Sequence, residues 1–123
     1  MPSHRTLAFI FAMLAALSAG PGIHAADPTF SKDIAPILTA RCMNCHGPKR
    51  QKNDLRLDSA EAVNKGGKHG PIFVAGNPDK SPMYFRITRP VGDEDRMPAT
   101  GELLTKQQTD AIKAWIAAGV KFD

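Results

Sequence analysis

Two thiols and an imidazole share one pentapeptide, Cys42-Met43-Asn44-Cys45-His46, and the chain has no other cysteine. Thiols at this spacing can close a vicinal disulfide, act as a redox pair, supply half of a zinc site, or add to the two vinyl groups of a haem while the next residue binds iron. A redox pair belongs after a strand at a helix start, and no βαβ pattern precedes Cys42. Zinc needs four ligands at workable spacing, and only His69 follows downstream. Haem attachment uses every member of the pattern. One helical turn sets the two sulfurs beside neighbouring vinyls, and the imidazole of His46 then swings under the ring. The pentapeptide therefore predicts one covalent haem c, held by Cys42 and Cys45, with His46 on its iron.

A second axial ligand has four candidates. Met97, between Arg96 and Pro98 in a loop rich in Pro, Gly and acids, follows the motif by enough chain to reach the far face of the ring. A thioether there would raise the potential and keep both oxidation states six-coordinate. Met43 lies inside the attachment turn and cannot cross the same ring. Met83 sits among apolar residues at helical spacing, where methionine fills core gaps. His69, in a glycine-flanked loop, would give a bis-histidine site of lower potential. The expected cofactor and metal residues are Cys42, Cys45, His46 and Met97, with His46 and Met97 on the iron.

The elements that must position these groups read as helices. Phe30, Ile34, Ile37 and Leu38 have near-helical spacing toward the cysteines, with Thr29 or Ser31 as cap and Pro36 tolerable in a first turn. Gly47-Pro48 would stop that helix. Leu55 and Leu57 alternate in a short extended piece, and Ser59 caps a brief helix ended by Gly66-Gly67. Asn77 is placed to cap a helix from Pro78 to about Thr88, with Met83, Phe85 and Ile87 facing the core. Thr105 and Gln108 form a capping box for a final helix to Ala118, whose stripe is Ile112, Trp115 and Ile116. Trp115 is expected to pack on the first helix.

The opening segment reads as an export signal. His4 and Arg5 precede an apolar run from Leu7 to Leu17, too short for the roughly 20 residues of a membrane span. Small residues, a Pro21-Gly22 break and Ala25 or Ala26 follow. The expected division is a signal peptide over 1–25 and a single domain over 26–123, periplasmic or otherwise extracytoplasmic after cleavage, with no transmembrane segment in the mature chain. A domain of about a hundred residues buries only some 60 to 65% of its chain surface and gains from a covalent cofactor. The net charge of +4 comes without a nucleic-acid motif, so no nucleic acid is expected. Lys49, Arg50, Lys52 and Arg56 read as a solvated face, or as a docking face for an acidic redox partner.

Phe30 to Leu38, Cys42 to Pro48, Leu55 to Ser59, Lys65 to Gly67, Gly70 to Pro78, Arg96 to Pro98, and Leu104-Thr105 near a closing Trp115-Ile116 together resemble the planctomycete-type cytochrome c domain, over about residues 28 to 122. The family's usual Met-Pro-Pro is Met97-Pro98-Ala99 here. The resemblance implies an all-α fold of class I cytochrome c type, with first and last helices packed crosswise around one haem, histidine on one side and usually methionine on the other. The expected function is a monomeric, monohaem electron carrier between redox proteins, not an enzyme. The alternatives are a haem enzyme or sensor with an open distal site, served by Arg89, Arg96 or His69, and a non-haem binding module with a Cys42-Cys45 disulfide.

Overall fold

The computed structural model describes residues 25–123, so all but the last residue of the expected signal peptide lies outside the described residues. A wide π-helical turn, Phe30–Ile34, runs into helix α1, Ala35–Arg41. Helices α2, Ala60–Lys65, α3, Pro82–Ile87, and α4, Lys106–Ala117, follow, with single 3-10 turns at Lys52–Asp54 and Pro78–Lys80. Among the described residues there is no strand, only the isolated bridges His46 with Gln51 and Gly67 with Gly70. The fold is all-α, and no described helix is long and apolar enough to cross a membrane.

Each helix start has a local cause. Pro36 sits in the first turn of α1, where its missing N–H leaves no bond unmade. Neither Thr29 nor Ser31 caps the turn before it. The Asp33 carboxylate instead accepts from the Thr29 N–H at 2.8 Å, and the Ser31 hydroxyl and N–H both go to the Asp123 carboxylate, the N–H at 2.8 Å. Ser59 caps α2 through the Ala62 N–H, and Gly66 ends it at φ 77°. Thr105 and Gln108 form the full capping box of α4.

The helix expected over 78–88 is broken in two. Asn77 does cap its start, accepting from the Lys80 N–H, but Pro82 forces Ser81 out of helical geometry, to φ −82° and ψ 116°. The Ser81 hydroxyl, fully buried, donates to the Asn77 carbonyl and accepts from the Val74 N–H, which fastens the break. In α3, Met83 and Ile87 share one face and are buried. Phe85 points the opposite way and is 49% exposed, against the expectation of a core position, because two residues on a helix turn the side chain by about 200°.

Phe30, Ile34 and Leu38 face Ile112, Trp115 and Ile116 in the core. Trp115 is 1% exposed, with ring centroids 5.7 Å from Phe30, 5.1 Å from Phe73 and 5.4 Å from Phe122. Its indole N–H donates to the Lys121 carbonyl at 2.8 Å, which satisfies the buried polar atom. Positive φ at Gly119 and Val120 turns the chain back so that Phe122 reaches both Phe30 and Trp115. Trp115 thus ties α4 to the turn that opens α1, as its place in the apolar stripe implied.

Candidate functional site

Helix α1 does not stop at Arg41 so much as tighten. The Cys42 N–H bonds to the Leu38 carbonyl at 2.9 Å, and the Cys42 carbonyl accepts from Cys45 at 3.2 Å and His46 at 3.0 Å. This single turn brings both thiols and the imidazole to one side of the chain. Gly47 is required immediately after it. A Cβ there would stand 2.6 Å from the Met43 carbonyl oxygen and 3.0 Å from the Met43 sulfur. That contact also places Met43 behind the turn, away from the cleft described next.

The returning chain backs the turn with main-chain bonds, Lys52 N–H to the Cys45 carbonyl at 3.0 Å and Leu57 N–H to the His46 carbonyl at 2.8 Å. Lys68 N–H joins the Asn53 carbonyl at 2.8 Å, and Gly67 packs where a Cβ would meet that carbonyl at 2.8 Å. The two turns therefore form one continuous wall.

Cys42, Cys45, His46 and Met97 all line a single cleft of about 260 Å³. Its apolar surface comes from Leu55, Leu57, Ile72, Met83 and Ile87, and the segment Met97 to Thr100 lines it as well. Met97 is half-buried against the core, follows α3 through a 3.1 Å bond from its N–H to the Arg86 carbonyl, and precedes a cis peptide to Pro98. Met83 and His69 also line the cleft, Met83 buried and His69 exposed on its turn. Arg89 and Arg96 do not. Arg89 pairs with Asp93 and lies 4.7 Å over the Phe85 ring.

The electrostatics of the site favour an uncharged Cys42 thiol. Burial pushes the Cys42 thiol up to about 11, with Cys45 adding to the rise, which is the reverse of an activated redox cysteine. Both cysteines are free thiols. Burial lowers the His46 imidazole below its ordinary value, backbone groups of Leu55 and Lys52 offsetting part of that, so the ring is neutral and able to bind a metal. His46 Nδ1 is buried with no hydrogen-bond partner. Among the described residues no three His, Cys, Asp or Glu side chains gather in a metal-holding group.

The residues fit a haem on three counts. The cleft is apolar where a porphyrin face would lie. Two free thiols and a neutral imidazole share that wall. The charged side chains on its margin, Arg41, Lys52, Lys68 and Arg86, are all cations, with no carboxylate among the lining residues, which suits the two carboxylates that a haem carries. That Lys68 and Arg86 meet Leu57, Ile72 and Ile87 around one cleft was not signalled by the sequence, since the walls are assembled from separate turns and helices.

The residues from Cys42 to Gly101 match the family model described as planctomycete cytochrome C. That span is narrower than the resemblance drawn from the sequence and contains the pentapeptide and the Met97 segment but neither α1 nor α4. No curated protein and no solved structure matches the chain. Through residues 42–101, with their thiol pair, neutral imidazole and apolar cation-rimmed cleft, the chain is similar to the planctomycete cytochrome C family of haem-binding c-type cytochromes.

Proposed function

We propose that this protein is an exported monohaem cytochrome that carries single electrons between redox proteins, with Cys42 and Cys45 as the thioether residues and His46 and Met97 as the axial ligands. The observation that carries the reading is the meeting of these four side chains on the walls of one carboxylate-free apolar cleft. Haem bound there supplies a reversible one-electron couple, and no side chain need act as acid or base.

The chain's own residues do the rest. The Cys42 to His46 turn fixes where the thiols stand, and its backing by Lys52 and Leu57 main-chain bonds holds the imidazole in place. Leu57, Ile72 and Ile87 keep water from the buried side of the cleft. Met97 presents a thioether, which changes little in geometry between oxidation states. Class I packing, with α1 and α4 crossing on the side of the cleft away from solvent, is consistent with Trp115 joining α4 to Phe30. The apolar run from Leu7 to Leu17 supports an extracytoplasmic location, where haem attachment takes place.

The test is the visible spectrum of the mature protein, made with a haem-maturation system, beside Met97→Ala. The expected result is a low-spin c-type spectrum whose weak long-wavelength methionine-to-iron band disappears in the variant. A high-spin spectrum in the unmutated protein would favour an open-site enzyme or sensor, with His69 as the side chain already on the cleft. A colourless protein would sink the haem reading.

A further inference from the structure

We infer that the segment from Asp95 to Glu102 is a strap held over the cleft by two arginine ties, Arg86 to Asp95 and Arg41 to Glu102, and that these four side chains are positioning residues for Met97. The inference rests on the Met97 ligation proposed above.

The ties flank the part of the chain that forms the wall. Arg86 Nη1 donates to the Asp95 carboxylate at 3.1 Å and to its carbonyl at 3.2 Å. Arg41 Nη1 donates to the Glu102 carboxylate. Between them Met97, Pro98, Ala99 and Thr100 all line the cleft. Arg41 closes α1 one residue before Cys42, and Arg86 lies on α3 between the cleft residues Met83 and Ile87. The strap is therefore moored to α1, which leads into the attachment turn, and to α3, which supplies Met83 and Ile87 to the cleft.

Sequence separation sets these pairs apart. Among the described residues the other ion pairs, Arg56 with Asp58, Arg89 with Asp93 and Lys106 with Asp110, join residues no more than four apart. Arg86 and Asp95 are nine apart, and Arg41 and Glu102 are 61 apart. Exposed pairs of this kind add little to global stability, and Glu102 is 80% exposed. The strap, however, has no helical bonds of its own, so small ties decide how often it stands open. A thioether is a weak ligand, and its hold on iron is reduced by the fraction of time the strap is open.

The experiment titrates imidazole into the ferric holoprotein and follows loss of the methionine-to-iron band, in the unmutated protein, Asp95→Ala, Glu102→Ala, their double variant, and Asp110→Ala, which breaks a pair on α4. Each strap variant is expected to bind imidazole about two- to five-fold more tightly, and the double variant roughly ten-fold, with Asp110→Ala unchanged. Glu102→Gln, which keeps the side-chain length, is expected to match Glu102→Ala. The far-UV melting curve is expected to stay where it was. Equal affinity in the double variant and the unmutated protein overturns the strap, as does an equal gain in Asp110→Ala. Absence of the band from the unmutated protein overturns the ligation reading itself, which separates the two failures.

Discussion

Between Cys42 and Leu57 the main chain bonds to itself. Cys45 and His46 donate to Cys42, Lys52 donates to Cys45, Leu57 donates to His46, and Gly47 donates to the Arg50 carbonyl at 2.9 Å. Between Asp95 and Glu102 the moorings are mostly side chains, with the Met97 to Arg86 main-chain bond between the two arginine ties. Both segments lie outside regular helices and both line the cleft, yet one is fixed by main-chain groups that most substitutions leave in place and the other by charges at the surface. Under the proposed ligation the difference divides the work of holding an iron: the strong imidazole ligand would come from the side bonded through its main chain, and the weak thioether from the side tied by side chains.

That division can be broken in order of expected effect. Leu57 is 4% exposed, lines the cleft and anchors the strand of chain that backs His46. Leu57→Ala is expected to cost about 2–5 kcal/mol in denaturant unfolding of the holoprotein, as a buried leucine truncation does. A loss no larger than that of the Asp95→Ala, Glu102→Ala double variant would reverse the comparison. Gly47→Ala comes next. Its Cβ meets the Met43 carbonyl oxygen first, at 2.6 Å, so the turn must shift at a cost of about 1–3 kcal/mol. The readout is a reduced yield of covalently attached haem, and an undiminished yield would show that the turn has slack.

The smallest effect is an acid one on the strap. The Arg41 hydrogen bond, and then its charge, hold the Glu102 carboxyl below its ordinary value of 4.5. A depressed carboxyl stabilises the tied form fully above the unfolded value, and that contribution is lost as pH falls through the lowered one. The methionine-to-iron band is expected to fade in that window before the helical signal does, and Glu102→Ala should remove this separate step. An identical acid profile in the variant would leave the tie without a part in holding Met97.

Local signals carried much of this structure. Ser59, Asn77, Thr105 and Gln108 cap where their spacing placed them, and the pentapeptide lies on one turn at the end of α1. The misreadings were also local and have physical causes. Proline at position 82 outweighed the apolar spacing on either side of it, which split the expected helix at Ser81 and left Phe85 outside. At the start of the domain a carboxylate from Asp33 took the Thr29 N–H that a hydroxyl cap would leave free. Of the cleft, the thiols, His46 and Met97 were singled out in the sequence by residue type and spacing, and the structure brings them to the same walls. The strap was not, since nothing in the sequence near Arg41 points to a partner at Glu102.

The Ser31 to Asp123 hydrogen bonds and the cluster of Phe30, Trp115 and Phe122 bring the two ends of the folded domain to the same spot. A unit whose entry and exit coincide is a cassette. It can be spliced into a loop of a larger polypeptide with short joints, displacing neither flank.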